Sequence, residues 1–298
     1  MKFLFVAGSM LTAMALLAQP KVSGSLQGEY TNADNLSTFS MNSATVSFKD
    51  KAKLDNAMFI YDLTLDLSGI ASKRADSAIN VQTARFITVT PMGTVVAGSG
   101  AVGGAYGVFT EFKSADKGMF YQPFSSPSAV AYVAPVVAGV KLTGALVSVN
   151  DNADLLDVYV ASASYSIAGI TAGASLANTS KALLGGAAND YIRLGFTAGY
   201  KAGAIKAGGV YEMNTNHPSG DSTVMGASAS YQYNKANIKL GLALRDHTND
   251  ELDNMAILAN TSCVVASNEN TKLTSYVELE NHTLSENNIL RVGIVANF

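Results

Sequence analysis

Charged side chains recur in this sequence at alternate positions within otherwise apolar stretches. In residues 237–245, the charged Lys239 and Arg245 fall on one parity, and one isoleucine and three leucines fall on the other. Residues 191–201 repeat this pattern around Arg193. A row of fixed charges facing water attracts or repels dissolved ions, which is the chemistry of a filter.

Residue types suited to catalysis are few. The three histidines are His217, His247 and His282, and a serine–histidine hydrolase stays open because Ser285 and Asp246 are close in sequence. No Gly-x-Ser-x-Gly segment occurs, and no histidines and cysteines have the spacing of a metal site. We predict that the chain is not an enzyme and that it uses no cofactor and no metal.

The alternation that carries the charges is a strand pattern, because successive side chains of a strand point to opposite faces. It recurs over roughly ten to thirteen residues at a time, whereas strands of soluble proteins usually have about five or six. A strand tilted across a membrane needs about nine to eleven residues. The length of these segments therefore favours strands that span a membrane.

Composition agrees with a membrane protein that has no spanning helix. Only 14% of the residues are charged, against about 25% in soluble proteins. The one long apolar run is residues 1–18, which follow the layout of a secretory signal peptide, with 19–298 as the mature chain. Without Lys2 the mature chain has 19 Lys and Arg against 23 Asp and Glu. The sequence has no block of basic residues of the kind that binds nucleic acid.

Sixteen strands are predicted, in an all-β, antiparallel transmembrane barrel. Connections after even-numbered strands are short and those after odd-numbered strands are mostly longer, the arrangement typical of outer-membrane barrels. Since lipid offers no hydrogen bonds to a free sheet edge, the first strand must pair with the last. A soluble secreted β-sandwich is the alternative. The strands are placed at 21–31, 39–49, 56–68, 80–90, 92–99, 127–135, 139–149, 156–167, 170–178, 189–201, 204–213, 222–234, 236–247, 254–266, 271–283 and 288–298.

One connection, about 99–127, is far longer than the others. Loops of more than about 12–15 residues are usually functional or disordered. This one carries aromatic residues, including Tyr106, Phe109 and Phe120, that require burial. We predict that it folds into the lumen of the barrel.

Several segments resemble the general, trimeric porins of Gram-negative bacterial outer membranes. "ARFITVTPMGTVVAGSG" resembles the family's strand-turn-strand before its third loop, and "SPSAVAYVAPVVAGVKLTGALV" resembles the strand after it. "ATVSFKDKAKLDNAMFIYDLTL" is similar to the second and third strands, and "RVGIVANF" is similar to the closing strand with its terminal aromatic. The resemblance implies a homotrimer of sixteen-stranded barrels in the outer membrane, with the third loop narrowing each pore.

The resemblance also implies a constriction in which acids on the third loop oppose basic residues on the wall. On the loop these positions are Glu111, Lys113, Asp116 and Lys117. Arg85 stands where the family has a wall arginine, whereas Ala131 replaces another. In the family, the terminal aromatic, here Phe298, is read by the outer-membrane assembly machinery. Strand parity adds to the wall Asp62, Asp66, Lys141, Arg193, Lys239, Arg245, Glu278 and Arg291.

The predicted function is a water-filled channel for passive diffusion of small hydrophilic solutes and ions through the outer membrane. A sixteen-stranded barrel leaves an aqueous channel, whereas an eight-stranded one is filled by side chains. The predicted partners are outer-membrane lipid, two further copies of the chain and the assembly machinery. A substrate-specific channel and a non-conducting structural or adhesive barrel are the alternatives.

Overall fold

The fold is a closed barrel of sixteen antiparallel strands in which each strand pairs with its neighbours in sequence and β1 pairs with β16. The structure, a computed structural model, describes residues 21–33, 36–71, 79–99, 128–148, 157–184, 188–283 and 287–298. The strands are β1 Lys21–Ala33, β2 Leu36–Leu54, β3 Ala57–Asp66, β4 Asn80–Thr90, β5 Gly93–Ser99, β6 Ser128–Val133, β7 Val140–Ser148, β8 Val158–Ile167, β9 Ile170–Thr179, β10 Tyr191–Ala202, β11 Ile205–Thr215, β12 Ser222–Tyr233, β13 Ala236–His247, β14 Asn254–Ser267, β15 Lys272–His282 and β16 Asn287–Asn297.

The predicted number of strands and their order are confirmed, but the first hairpin differs from the prediction. Residues 32–38 were expected to form a loop, whereas β1 and β2 continue until only 34–35 lie between them. The polar side chains that suggested a loop pair across the hairpin instead. The hydroxyl of Tyr30 and the amide of Asn32 both donate to Ser37 Oγ, at 2.8 and 2.9 Å.

The two rims of the barrel differ. At the short-turn rim, the connections 55–56, 91–92, 168–169, 203–204 and 234–235 have two residues each. Most connections at the opposite, long-loop rim are longer, as predicted. A four-residue helix, α1 (Ser68–Ala71), and 3-10 segments at Lys181–Leu184 and Asp250–Leu252 belong to the long-loop rim. No helix among the described residues is long and apolar enough to span a membrane.

The outer face of the wall is apolar. Leu240, Ile257 and Leu279 are examples of outward side chains that stay largely exposed in the isolated chain, which is the state expected of a surface made for lipid. Tyr200, Tyr231 and Tyr233 are exposed near the short-turn rim. Aromatic side chains at this level of an outer-membrane barrel form a girdle at the membrane interface.

The last residue of the chain completes the closure. Beyond the β1–β16 register, the N–H of Phe298 donates to the carbonyl of Gly24 at 3.0 Å, and Gly24 N–H donates back at 2.8 Å. The Phe298 ring covers Gly24, where a Cβ would meet the ring atom Cζ at 2.6 Å. A side chain at position 24 would therefore displace the terminal aromatic.

Candidate functional site in the barrel lumen

The inward face of the wall is polar and rich in cations. Side chains alternate between the two faces along a strand, and residues paired across neighbouring strands lie on the same face. One residue known to point inward therefore identifies the inward residues of the neighbouring strands. Lysines and arginines outnumber carboxylates on this face. The inward cations are Lys21, Lys49, Lys51, Lys53, Arg85, Lys141, Arg193, Lys201, Lys206, Lys239, Arg245, Lys272 and Arg291, and the inward carboxylates are Glu29, Asp62, Asp66, Glu212, Glu278 and Glu280.

A charge triad crosses β2, β3 and β4 at one level of the wall. Lys49, Asp62 and Arg85 are consecutive partners in the register. Arg85 Nη2 lies 2.8 Å from Asp62 Oδ2, and Lys49 Nζ lies 3.8 Å from the same oxygen. Two cations share one carboxylate, so this part of the wall keeps a net positive charge. Lys49 is the more exposed of the two cations.

A second ion pair, on β10 and β11, is buried. Arg193 Nη2 lies 2.6 Å from Glu212 Oε2, and the Glu212 side chain is 0% exposed. Asn214 donates to the other Glu212 oxygen at 3.2 Å and accepts from the hydroxyl of Tyr191 at 2.6 Å. Because water does not reach these groups, their role in the wall is structural rather than that of a filter charge.

The third charged group, on β15 and β16, is centred on Arg291. Its Nη1 donates to Glu278 Oε1 and to Glu280 Oε2, both at 2.6 Å. The second Glu280 oxygen lies 2.8 Å from Nε2 of His282. Asn260 on β14 donates to Glu278 at 3.1 Å. The network therefore joins three consecutive strands next to the closure of the barrel.

A tyrosine beside this network bridges the closure. The hydroxyl of Tyr276 on β15 donates to Glu29 on β1 and accepts from the amide of Gln27 at 2.8 Å. Its ring lies over Gly293 of β16, where a Cβ would collide with it. In the sequence, the only sign of this contact is that Tyr276 occupies a position that alternates with apolar residues and so faces the lumen. Its partners cannot be read from the sequence, because they depend on the register between strands.

The other predicted wall residues have different settings. Asp66 accepts from the N–H of Ser68 at 2.8 Å and so caps α1. Arg245 Nε donates to the carbonyl of Leu252 at 2.9 Å and holds the 3-10 segment at the long-loop rim. Lys141 and Lys239 are half-buried and lie towards the short-turn rim. Glu111, Lys113, Asp116 and Lys117 lie outside the described residues.

Part of the inward face of β6–β9 is apolar. A second inward apolar group lies on β11–β14 and consists of Val210, Val224, Ala243, Ala256 and Leu258. We call the surface on β6–β9 the apolar sector. Its members are between 1% and 5% exposed, and Val96 and Leu183 pack against it. Its members are Ala129, Ala131, Ala145, Val147, Val158, Val160 and Ala177.

A histidine pair lies at the long-loop rim. The ring of His217 packs edge-on against Tyr191, with centroids 5.0 Å apart. Burial, and then the proximity of His247, lower the pKa of His217 below its usual value. Nδ1 of His247 accepts from the N–H of Asn249 at 3.0 Å. The neutral form of the His217 imidazole is thus favoured. Within the described part of the chain, no group of His, Cys, Asp and Glu has the arrangement of a metal site.

The family is decided by a match that covers nearly the whole chain. A family model described as "Gram-negative porin" matches residues 5–284. The chain belongs to the Gram-negative porin family. No curated protein sequence matches it significantly. Membership assigns it to the outer membrane, as a channel for passive diffusion of solutes.

Solved structures of porins share the fold at low sequence identity. The anion-selective porin from Comamonas acidovorans is 14% identical, with a TM-score of 0.74 and coverage of 94% of this chain and 99% of that one. OmpF from Salmonella typhi, in complex with daunomycin, has the same identity and TM-score and covers 94% and 97%. The trimer form of OmpT from Vibrio cholerae is 13% identical, with a TM-score of 0.67 and coverage of 94% and 98%.

Proposed function

We propose that this porin passes small hydrophilic solutes and ions, with a preference for anions. The observation that carries the preference is the excess of inward lysines and arginines over inward carboxylates. Among the described residues, six further carboxylates lie in connections at the long-loop rim: Asp157, Asp190, Asp221, Asp250, Glu251 and Asp253. Fixed charge that lines a pore selects ions of the opposite sign. The Comamonas acidovorans porin of similar fold is named as anion-selective.

The second part of the proposal concerns the constriction. The apolar sector faces the lumen by parity, yet its side chains are almost fully buried. The connection 100–127 leaves β5 and enters β6, which is an edge of this sector. Its aromatic residues are suited to an apolar surface of alanine and valine. We place this segment against the apolar sector, with Glu111, Lys113, Asp116 and Lys117 facing the open side of the pore.

The third part of the proposal concerns the assembly, which relatives of similar fold support. The OmpT structure of similar fold is described as a trimer form, and we propose a homotrimer embedded in outer-membrane lipid. Residues 1–18 act as the signal peptide, and Phe298 contributes to recognition by the assembly machinery. The channel works without catalysis and without a cofactor.

Single-channel recording tests the proposal. Purified protein in a planar bilayer should give conductance steps in groups of three. Across a potassium chloride gradient, the reversal potential should have the sign of chloride preference. Absence of steps would overturn the channel, and a reversal potential of the sign expected for potassium would overturn the anion preference.

The loop acids provide a sharper version of this test. Replacing both Glu111 and Asp116 by Ala should shift the reversal potential further towards chloride, because two negative charges leave the constriction. The matched control replaces Asp250 and Glu251, which lie at the long-loop rim, and should have a smaller effect. Equal shifts in both variants would place Glu111 and Asp116 outside the constriction.

A further inference from the structure

The connection 216–221 reaches further along the long-loop rim than the two strands that it joins. It links β11 to β12 but contacts the next strand on either side, β10 and β13. The ring of His217 lies edge-on against Tyr191 of β10, with centroids 5.0 Å apart. Gly220 lies against His247 of β13, where a Cβ would meet the ring atom Cε1 at 2.8 Å. We call this connection, which spans four strands, the rim brace.

Hydrogen bonds fix the two ends of the rim brace. The side-chain amide of Asn216 donates to the carbonyl of Asp190 at 3.1 Å, and its N–H donates to the carboxylate of Asp221 at 2.6 Å. At the other end, the N–H of Thr248 donates to the carbonyl of Asp221 at 2.9 Å. The backbone is left-handed at Asn216 (φ 60°) and at Gly220 (φ 110°). An element with few directed contacts and such a backbone is among the parts of a protein that open most readily.

Two polar atoms beneath the rim brace are buried and make no hydrogen bond within the described part of the chain. They are Nε2 of His247 and Oγ of Ser222. The two residues are direct partners in the β12–β13 register and are 3% and 6% exposed. Since Nδ1 of His247 accepts from the N–H of Asn249, the hydrogen of the neutral ring is on Nε2. A buried donor without an acceptor costs free energy, and opening the rim brace would let water satisfy it.

The group of the rim brace that responds to pH is His217. Its Nδ1 accepts from the N–H of Ser219 at 3.2 Å and lies 2.6 Å from the hydroxyl oxygen of the same serine. A proton on that nitrogen removes the acceptor of the Ser219 N–H. Burial, and then the proximity of His247, lower the pKa of His217. Uptake of a proton and departure from the closed position are therefore coupled.

The groups around the rim brace do not leave a second imidazole out of account. The titratable and charged residues on the elements around it are Asp190, Tyr191, Arg193, Glu212, Asp221, Arg245, His247 and Asp253. Its carboxylates are already engaged, because three accept from backbone N–H groups and Glu212 accepts from Arg193. The proximity of His247 opposes a positive charge on His217. Protonation of His217 thus adds repulsion within the closed rim.

We propose that the rim brace is released by acid: a proton taken up by His217 frees the connection 216–221, which then moves into the mouth of the channel. Its two supports, Tyr191 and His247, face the lumen by parity, so the rim brace lies on the lumen side of the rim. The effect on the current rests on the channel proposed above, whereas the release itself does not.

The direction of the pH dependence follows from the lowered pKa of His217. The contribution of this group to the closed state is complete above its unfolded pKa of about 6.5. It is lost as the pH falls below that value towards the folded pKa. Release is therefore expected on the acidic side of neutrality.

A cysteine beneath the rim brace tests the release. Ser222→Cys, in a Cys263→Ser background, replaces a buried hydroxyl without a partner by a thiol of similar size. Its rate of modification by a membrane-impermeant thiol reagent is divided by the rate for Glu251→Cys, an exposed position on the same rim. The ratio removes the common pH dependence of thiolate formation. Between pH 7.5 and pH 5 it should rise, by at most about tenfold per pH unit, which is the limit for uptake of one proton.

The matched control keeps the ring and removes the proton. His217→Phe, combined with Ser222→Cys, can still pack against Tyr191, and its ratio should stay constant with pH. A rise equal to that of the parent would overturn the proposal, and so would a constant ratio in the parent. If His217→Phe leaves the thiol reactive at pH 7.5, His217→Asn, which keeps an acceptor for the Ser219 N–H, replaces it in the same comparison.

Single-channel recording measures the consequence for the current. At pH 5 the open channel should show brief closures that are absent at pH 7.5, and His217→Phe should abolish them. Closures of equal frequency in that variant would overturn the entry of the rim brace into the mouth. Steady conductance at pH 7.5 is recorded first, so a failure of the channel itself is seen separately from a failure of the release.

Discussion

Two parts of the lumen wall are held together by different physics. The apolar sector on β6–β9 consists of alanine and valine side chains that contact one another without direction. The polar network on β15, β16 and β1 consists of two neighbouring groups held by directed hydrogen bonds. Arg291 donates to Glu278 and Glu280, and Tyr276 donates to Glu29. The first stabilises the fold by excluding water, and the second by satisfying every charge that it buries.

The difference assigns separate tasks to the two parts. An apolar surface accepts any apolar partner of suitable shape, so it suits a wall against which another segment lies. A hydrogen-bonded network accepts one register only. It therefore suits the closure, where β16 must meet β1 without slipping.

The largest effect is expected from removing the centre of the polar network. Arg291→Ala would leave Glu278 and the buried Glu280 without their cation, and breaking a buried ion pair in this way costs about 3–5 kcal/mol. The free energy of unfolding, measured by urea titration in detergent micelles, should fall by that amount. Lys272→Ala, at the exposed rim of the neighbouring strand, is the control and should change it little. Equal values for the two variants would mean that the network does not stabilise the closure.

A polar atom in the apolar sector should have the next largest effect. Val160→Thr keeps the shape of the side chain but buries a hydroxyl among alanines and valines, which costs about 1–3 kcal/mol. Ser164→Thr, at a half-buried inward position of the same strand, is the matched control. The same unfolding experiment compares them. If Val160→Thr is as stable as the control, water reaches the sector and the contrast with the polar network is lost.

Loss of one hydroxyl tests the bridge across the closure. Tyr276→Phe keeps the ring over Gly293 but removes the hydrogen bond to Glu29, with an expected loss of about 1–2 kcal/mol. Tyr159→Phe, on the exposed outer face, should have no comparable effect. The heat-induced shift of the folded band in gel electrophoresis measures both variants. A larger loss for Tyr159→Phe would contradict the assignment of Tyr276 to the closure.

The smallest effect on stability is expected from the protonation of His217 at the long-loop rim. The folded pKa of His217 is lowered, so the folded state resists protonation there. The contribution of this group to stability is complete above its unfolded pKa of about 6.5. It is lost as the pH falls below that value towards the folded pKa. Amide exchange in residues 216–221 should therefore accelerate, relative to the intrinsic rate, between pH 7.5 and pH 5. The acceleration should be smaller in His217→Gln, and an equal one would contradict the assignment.

Much of the wall follows from the sequence because a strand of membrane length has one strong requirement. Each outward position must be apolar, so parity alone identified the leucines of residues 237–245 as outward and Arg193 and Glu278 as inward. Where the inward face is also apolar, as on β6 and β8, alternation is weak, yet the turn at Ala168-Gly169 still separates β8 from β9. Both residues of that turn have positive φ.

The partners of the charged residues could not be predicted in the same way. Parity gives the face of a residue but not its register, and register depends on bulges and connections. Arg85 is the partner of Asp62 in the β3–β4 register, which shifts at Thr64/Leu65. Whether Arg193 faces water or is buried against Glu212 depends on packing between strands, which no periodicity records. The same holds for the ring of Tyr276 over Gly293.

The closure has a consequence for the order of assembly. Tyr276 and Glu29 are 247 residues apart in sequence, so their contact is among the least local in the chain. Contacts of such separation carry the largest entropic cost and slow folding. Until they form, β1 and β16 are two open edges whose backbone groups have no partner in lipid. The hydrogen bonds of Phe298 with Gly24 are therefore expected to be among the last to form, and the terminal residue reports whether the barrel has been completed.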